Sequence, residues 1–363
     1  MSRETTYNFA AGPSALPTEV LQIAAAELLD YRSSGLSVME MSHRSSLYQS
    51  IFDETKADFK ALLNVPDDYE VLFLQGGAST QFSMIPLNLL GEGDCADYAV
   101  TGNFAKIAAK EAAKYGKINI AADTSECNHT RIPTQSELKL DPKAKYFYYC
   151  ANNTIFGTEW HYIPETGSVP LVSDMSSDIL TQPLDVRKFG IIFAGAQKNL
   201  APAGVTVVVI RKDLAGHEQA ITPLMLGYKL MIDKDSMYNT PPCYNIYMLG
   251  LVMKWLQKQG GLTAMDALRH EKSAMLYNYL DESRFFHGCA EKEARSFMNV
   301  TFNTGDADKD AAFCKAATAA GFVNVKGHRL VGGMRASIYN AVPVKAVKAL
   351  VEFMKDYEVK NRV

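Results

Sequence analysis

Six short runs rich in β-branched and aromatic residues, at 70–74, 98–100, 146–150, 170–173, 190–193 and 205–210, alternate with longer segments of helical period. They are apolar throughout rather than at every second position, which predicts strands of a mainly parallel sheet covered on both faces. Helices are predicted over 80–90 and 103–115, the second capped by Asn103. Longer helical stretches follow over 244–259, where Gly260-Gly261 marks a stop, and over 264–280. The order then changes to strand, helix, strand, strand, helix, at 298–302, 309–320, 323–326, 335–339 and 344–357. A large α/β domain over 1–259, led by an N-terminal arm (1–15), and a smaller α+β domain over 260–363 are therefore expected. A chain of 363 residues suits two domains of ordinary size.

Charge and composition narrow the partners. Lys and Arg number 37 against 40 Asp and Glu, a net charge of −3, so no basic field draws nucleic acid or anionic lipid. The longest apolar run, 205–210, is far too short to cross a bilayer. Behind Met1 the chain reads Ser-Arg-Glu-Thr-Thr, without the apolar core of a signal peptide. Six cysteines are widely spread with no CxxC pair, which suits reduced thiols and a cytoplasmic location. There is no HExxH and no Cys/His cluster, so no metal is expected, and no GxSxG elbow of a hydrolase.

Three strand ends carry the chemistry. Strand 70–74 runs into Gln75-Gly76-Gly77-Ala78-Ser79-Thr80 and a helix, where small residues and free amides favour an anion. Alone, that is more often only a turn. Strand 170–173 delivers Asp174 at its carboxyl end, the edge where open α/β sheets bind ligands. Strand 190–193 ends in Ala194-Gly195-Ala196-Gln197-Lys198-Asn199. Most lysines keep their heads in water among other charges, yet Lys198 has no charged neighbour from Gly190 to Ile210. A desolvated lysine has a lowered pKa, and its neutral amine can attack a carbonyl to form a Schiff base. Acid, secluded lysine and anion cradle are the set needed for pyridoxal 5'-phosphate. Phe104, after the Thr101-Gly102-Asn103 turn, is placed to stack on its ring. Thr154 is placed to donate to its phenolic oxygen.

Cations for a substrate come from two loops. His43 and Arg44 lie in a serine-rich turn. Lys326-Gly327-His328-Arg329 precedes Gly332-Gly333-Met334-Arg335. Each arginine singly is more often a surface ion pair. Their clustering with two of only 7 histidines favours a site for carboxylate and phosphate together.

In this order the residues resemble the class V aminotransferases of fold-type I pyridoxal phosphate architecture. The segments carrying the resemblance include Asn8-Phe9-Ala10-Ala11-Gly12-Pro13, Asp174-Met175-Ser176-Ser177, Gly195-Ala196-Gln197-Lys198-Asn199, Asn239-Thr240-Pro241-Pro242 and Gly327-His328-Arg329. The run Gly332-Gly333-Met334-Arg335-Ala336-Ser337 adds to them. The resemblance implies that Lys198 forms the Schiff base and moves the substrate proton, with Asp174 at the pyridine nitrogen. It further implies that Ala78, Ser79 and Gln197 hold the cofactor phosphate, helped by Asn239 and Thr240 from a partner subunit of a homodimer. Arg335 would bind the substrate α-carboxylate. His43, Arg44, His328 and Arg329 would receive the distal anion. The implied reaction is amino transfer from L-glutamate to a phosphorylated 2-oxo acid, 3-phosphohydroxypyruvate, with a further role in pyridoxine synthesis in some relatives. Ser79, Phe104 and Ala11 stand where some relatives carry Arg, Trp and Ser. A serine–glyoxylate type transaminase would not need the His328-Arg329 pair, and a cysteine desulfurase would need a loop cysteine. A silent binding protein would use Lys198 only for its charge.

Overall fold

In the computed structural model, which describes residues 2–361, a seven-stranded sheet forms the centre. Its order is Tyr69–Leu74, Thr206–Arg211, Ile191–Gly195, Leu171–Asp174, Phe147–Cys150, Cys95–Val100, Lys117–Asp123. Thr206–Arg211 runs antiparallel to both neighbours, and every other pairing is parallel. The exception has a covalent cause. A parallel return needs a crossover of a dozen or more residues, and the link from Gly195 to Thr206 is shorter, so the chain turns straight back. That turn carries Lys198.

Alternate residues of each strand enter different cores. Tyr69, Val71 and Phe73 pack on one face while Leu72 and Leu74 pack on the other, and Val207 and Val209 oppose Val208 and Ile210 in the same way. Burial on both faces is why these strands read as unbroken apolar runs. The edge strand Lys117–Asp123 is half exposed, and its mixed sequence Lys-Ile-Asn-Ile-Ala-Ala-Asp gives no such run.

Among the helices, Ser46–Leu63 had no counterpart among the predicted elements. The Ser45 hydroxyl accepts from the Tyr48 amide at 3.2 Å, a left-handed Asn64 ends the helix, and Tyr48, Ile51, Phe52, Thr55, Phe59 and Leu63 form its buried stripe. It packs on Cys243–Lys258, where Gly250 leaves room for Thr55; a Cβ there would sit 2.4 Å from the threonine oxygen. The cap of Asn103–Ala112 is Gly102, not Asn103, which is the first helical residue. The side chain of Asn153 comes so close to Gly102 that a Cβ would meet it at 2.6 Å. Gly260 follows the Cys243–Lys258 helix with φ +99° and at once begins Gly261–Glu282.

The third core belongs mostly to the C-terminal third. A sheet of His287–Gly288, Asn299–Asn303 and Met334–Ser337 packs with the Gly261–Glu282, Ala307–Ala319 and Val344–Asn361 helices. The strand expected over 323–326 is only Phe322–Val323, because Asn324 turns left-handed (φ 64°), and it pairs with Tyr7–Asn8 rather than with that sheet. Phe9, fully buried, sits in this core too. The N-terminal arm then crosses to the large sheet, where the Ser14 amide donates to the Gln197 carbonyl at 2.9 Å.

Candidate active site

The strands Tyr69–Leu74, Cys95–Val100, Phe147–Cys150, Leu171–Asp174 and Ile191–Gly195 share one direction, so their carboxyl ends lie along one edge. From that edge project Gly76–Ser79, Phe104, Thr154, Asp174 and Lys198 in turn. Lys198 Nζ donates to Thr154 Oγ1 at 2.7 Å and lies 5.4 Å from the centre of the Phe104 ring. Burial pushes the Lys198 amine below its ordinary range, against the pull of the nearby Asp174 charge. An amine so placed is neutral more readily than a surface lysine, which is what a nucleophile requires.

Asp174 is 5% exposed. Its Oδ1 accepts from the Ser176 amide at 2.9 Å and the Ser176 hydroxyl at 2.6 Å, while Oδ2 has no hydrogen-bond partner among the described residues. Burial raises its pKa and Lys198 opposes the rise. A carboxylate with one oxygen pinned and the other open is fitted to take a proton-bearing ring nitrogen.

The Gly77–Leu89 helix starts without a side-chain cap. Gly76, at φ +91°, turns the chain into it, and a Cβ at Gly76 would lie 2.1 Å from Thr80 Oγ1. The first amides, of Gly77, Ala78 and Ser79, therefore point out unsatisfied, an arrangement that binds phosphate. Thr240 belongs to the same neighbourhood, since its carbonyl accepts from Gln75 Nε2 at 3.0 Å within one chain. Asn239 borders a cavity of about 220 Å³ together with Gln75, Gly76 and Thr80. Gln197 folds over Gly195, where a Cβ would come within 2.8 Å of its Oε1. These groups fit pyridoxal phosphate: an open carboxylate oxygen, an uncapped helix start and a desolvated amine along one edge of the sheet.

Arg335 Nη1 donates to the Thr154 carbonyl at 2.9 Å, which brings this cation to the lysine's own partner. The 327–333 loop folds back on itself, with the Gly327 amide bonded to the Gly333 carbonyl and the Gly332 amide to the His328 carbonyl. Burial, then the positive Arg335 and Arg329, push the His328 ring below its ordinary range. No carboxylate among the described residues forms an ion pair with Arg44, Arg329 or Arg335. His43 and Arg44 stand in the turn before Ser46–Leu63, and among the described residues neither forms a hydrogen bond or ion pair with the Lys198 group.

Sequence reasoning passed over several buried polar residues here. Asn152, Ser177, Ser296 and Asn299 form a hydrogen-bonded set behind Thr154. Lys272 donates to the carbonyls of Ile338, Tyr339 and Val342 at 2.9, 2.8 and 3.1 Å, fixing the turn after the Arg335 strand. Its Glu271-Lys272 setting looks like an exposed helix face, so nothing local marks it.

Comparison with known proteins agrees with this geometry. The family model described as Aminotransferase class-V matches residues 6–350. A phosphoserine aminotransferase of Pseudomonas aeruginosa (strain LESB58) is 53% identical over 352 residues, covering 97% of this chain and 98% of its own. The solved phosphoserine aminotransferase of Bacillus circulans subsp. alkalophilus superposes with a TM-score of 0.96 at 47% identity, over 98% of this chain and 99% of the other. A PLP-bound phosphoserine aminotransferase from Trichomonas vaginalis gives 0.93 at 41% identity, over 96% and 99%.

Proposed function

The chain belongs to the class-V aminotransferase family, and from that premise we propose that it transfers the amino group of L-glutamate to 3-phosphohydroxypyruvate, giving O-phospho-L-serine and 2-oxoglutarate. Relatives at about half identity over nearly the whole chain are named phosphoserine aminotransferases, which supports this reading. Pyridoxal phosphate supplies an aldehyde for the lysine and a ring that accepts the electron pair released at the substrate Cα.

The residues then divide the labour. The Asp174 carboxylate, with one oxygen held by Ser176, would keep the ring nitrogen protonated. Phe104 covers the ring and excludes water. The amides of Ala78 and Ser79, with the Gln197 side chain, would hold the phosphate, helped by Asn239 and Thr240 supplied across a dimer interface. Lys198, once its amine is free, removes the proton from the substrate Cα and returns it on the other side of the exchange. Arg335 clamps the α-carboxylate beside Thr154. His43, Arg44, His328 and Arg329 take the distal anion, which is a carboxylate in glutamate and a phosphate in the acceptor.

We also infer a homodimer. Leu29 is 85% exposed and Met39 58%, and Ile221, Leu224 and Tyr238 are exposed as well, the last beside Asn239 and Thr240. A second copy covering them would bring the 239–240 loop or the Arg44 turn to a neighbouring site. Two domains, 1–259 and 260–363, complete this reading; the first helix of the second, Gly261–Glu282, places Leu262 and Met265 in one core and Leu276 and Leu280 in another. The described residues contain no helix long and apolar enough to cross a membrane.

The observation that carries the substrate choice is Arg335, which makes no ion pair among the described residues and donates to the Thr154 carbonyl, with the His328 ring near enough to feel the Arg335 and Arg329 charges. Steady-state transamination with glutamate as donor tests it. Phosphohydroxypyruvate should far exceed glyoxylate and pyruvate as acceptor. Equal rates with glyoxylate would favour the serine–glyoxylate type instead.

A further inference from the structure

The Thr154 hydroxyl has more partners than protons. Its oxygen accepts from Lys198 Nζ and lies 3.0 Å from Ser177 Oγ. Groups further out decide which of the two hydroxyls donates. Ser296 Oγ accepts from the amides of Met298 and Asn299, so its own proton goes to Asn152 Oδ1 at 2.5 Å. That orients the Asn152 carboxamide, whose Nδ2 donates to Ser177 Oγ at 2.8 Å and to Asn299 Oδ1 at 2.7 Å. Ser177 Oγ donates to the Asn152 main-chain carbonyl at 2.9 Å, a group that can only accept. What remains on Ser177 Oγ is a lone pair. Thr154 must donate to it. Thr154, Ser177, Asn152, Ser296 and Asn299 are all buried, so no bulk water substitutes for any of them.

The hydroxyl proton of Thr154 is thus committed to Ser177 while its lone pair serves the free amine of Lys198. The cofactor's phenolic oxygen, the acceptor expected for Thr154, needs that same proton. We propose that Ser177 is a positioning residue that holds the Thr154 proton while Lys198 is a free amine and yields it to the phenolic oxygen when the lysine is engaged. The proton stays on Thr154 Oγ1 throughout, and only the rotation about the Cβ–Oγ1 bond changes. This inference rests on the cofactor reading above and adds a residue to it.

The consequence is a shared hydrogen bond. A donor to the phenolic oxygen steadies its negative charge and weakens the hold of the neighbouring lysine nitrogen on its proton. Ser177 competes for that donor. Removing Ser177 should therefore strengthen the Thr154 bond to the phenolic oxygen and lower the pH at which the visible band of the loaded enzyme changes.

Titration of that band tests the proposal. Ser177→Ala should lower its midpoint by about half to one pH unit, the net worth of one hydrogen bond. Ser177→Thr, which keeps the hydroxyl, should leave the midpoint in place. Thr154→Val should raise it. Ser177→Cys, with a weaker acceptor, should give a smaller fall, and it carries the test alone if the alanine variant does not fold. A Ser177 that merely braced Asn152 would leave the midpoints of the Ser177 variants unchanged. A normal band with an unmoved or raised midpoint in the Ala and Cys variants overturns the role of Ser177 alone. A wild-type protein that develops no band with pyridoxal phosphate overturns the cofactor reading, and this inference with it.

Discussion

Desolvation pushes two lysines among the described residues, Lys198 and Lys272, below their ordinary range, and their surroundings give them opposite characters. Lys272 is pushed down to about 7 by burial, but three carbonyls take all three of its ammonium protons and leave no room for a ligand. Among the described residues Lys198 Nζ has a single hydrogen-bond partner, Thr154 Oγ1, and it stands at the carboxyl edge of the sheet. A low pKa alone would not separate them; the number of acceptors does. Lys198→Ala should lower steady-state transamination by at least about a thousandfold, and residual turnover near wild type would remove it from the chemistry. At the other end of the substrate, Arg329→Ala should cost phosphohydroxypyruvate about tenfold or more in kcat/KM, the worth of a charge-assisted hydrogen bond. An unphosphorylated acceptor should be much less affected. Equal losses on both would exclude Arg329 from phosphate recognition.

At the scale of elements, the site is a row of turns at strand ends, and each turn depends on small residues. Gly76 is the most exacting, because its φ is positive and Thr80 fills the space a side chain would need. Gly76→Ala should weaken retention of pyridoxal phosphate by at least about tenfold, measured by absorbance during dialysis, while the far-ultraviolet spectrum stays unchanged. Unaltered retention would mean that the Gly77–Leu89 helix start does not hold the phosphate. The strands facing two cores were legible in the sequence because each is apolar without interruption. Lys117–Asp123 was not, since half exposure mixes its residues, and Ser46–Leu63 hid behind polar residues spaced between its buried ones. The same contrast holds at the site. Lys198 and Asp174 stand out locally, one by its uncharged surroundings and one by its place at a strand end. Ser177, Asn152 and Asn299 acquire their meaning only through contacts between distant parts of the chain, which no local pattern encodes.

Across the whole molecule, the charge network around Glu70 ties three segments together. Lys56 reaches Glu70 at 2.7 Å and Asp235 at 2.5 Å, and Lys60 reaches Glu70 at 3.2 Å, joining the Ser46–Leu63 helix to the edge strand Tyr69–Leu74 and to the turn before Asn239. Burial alone would raise the Glu70 carboxyl, but the Lys56 hydrogen bond, the Val71 amide and the two ammonium charges outweigh it and hold it at about 2. Because the folded pKa lies below the unfolded one, this stabilisation is present above about pH 4.5 and is lost as pH falls toward 2. It amounts to on the order of 3 kcal/mol. Glu70→Gln should therefore lower the stability measured in urea at pH 7 and flatten its decline in acid. A decline as steep as the wild type's would assign the acid sensitivity elsewhere. The arm through Phe9 and Ser14 gives the C-terminal core a direct mechanical link to the Lys198 turn. Arg335 and Lys198 are thereby held in one frame although they arise far apart in the chain.

Reduction of the pyridoxal phosphate-loaded protein with borohydride, followed by mass mapping of its peptides, asks most directly which amine does the work. The reduced adduct should appear on the peptide containing Lys198 and on no other. An adduct on Lys272 or any other lysine, or none at all, would contradict the assignment on which every other role depends.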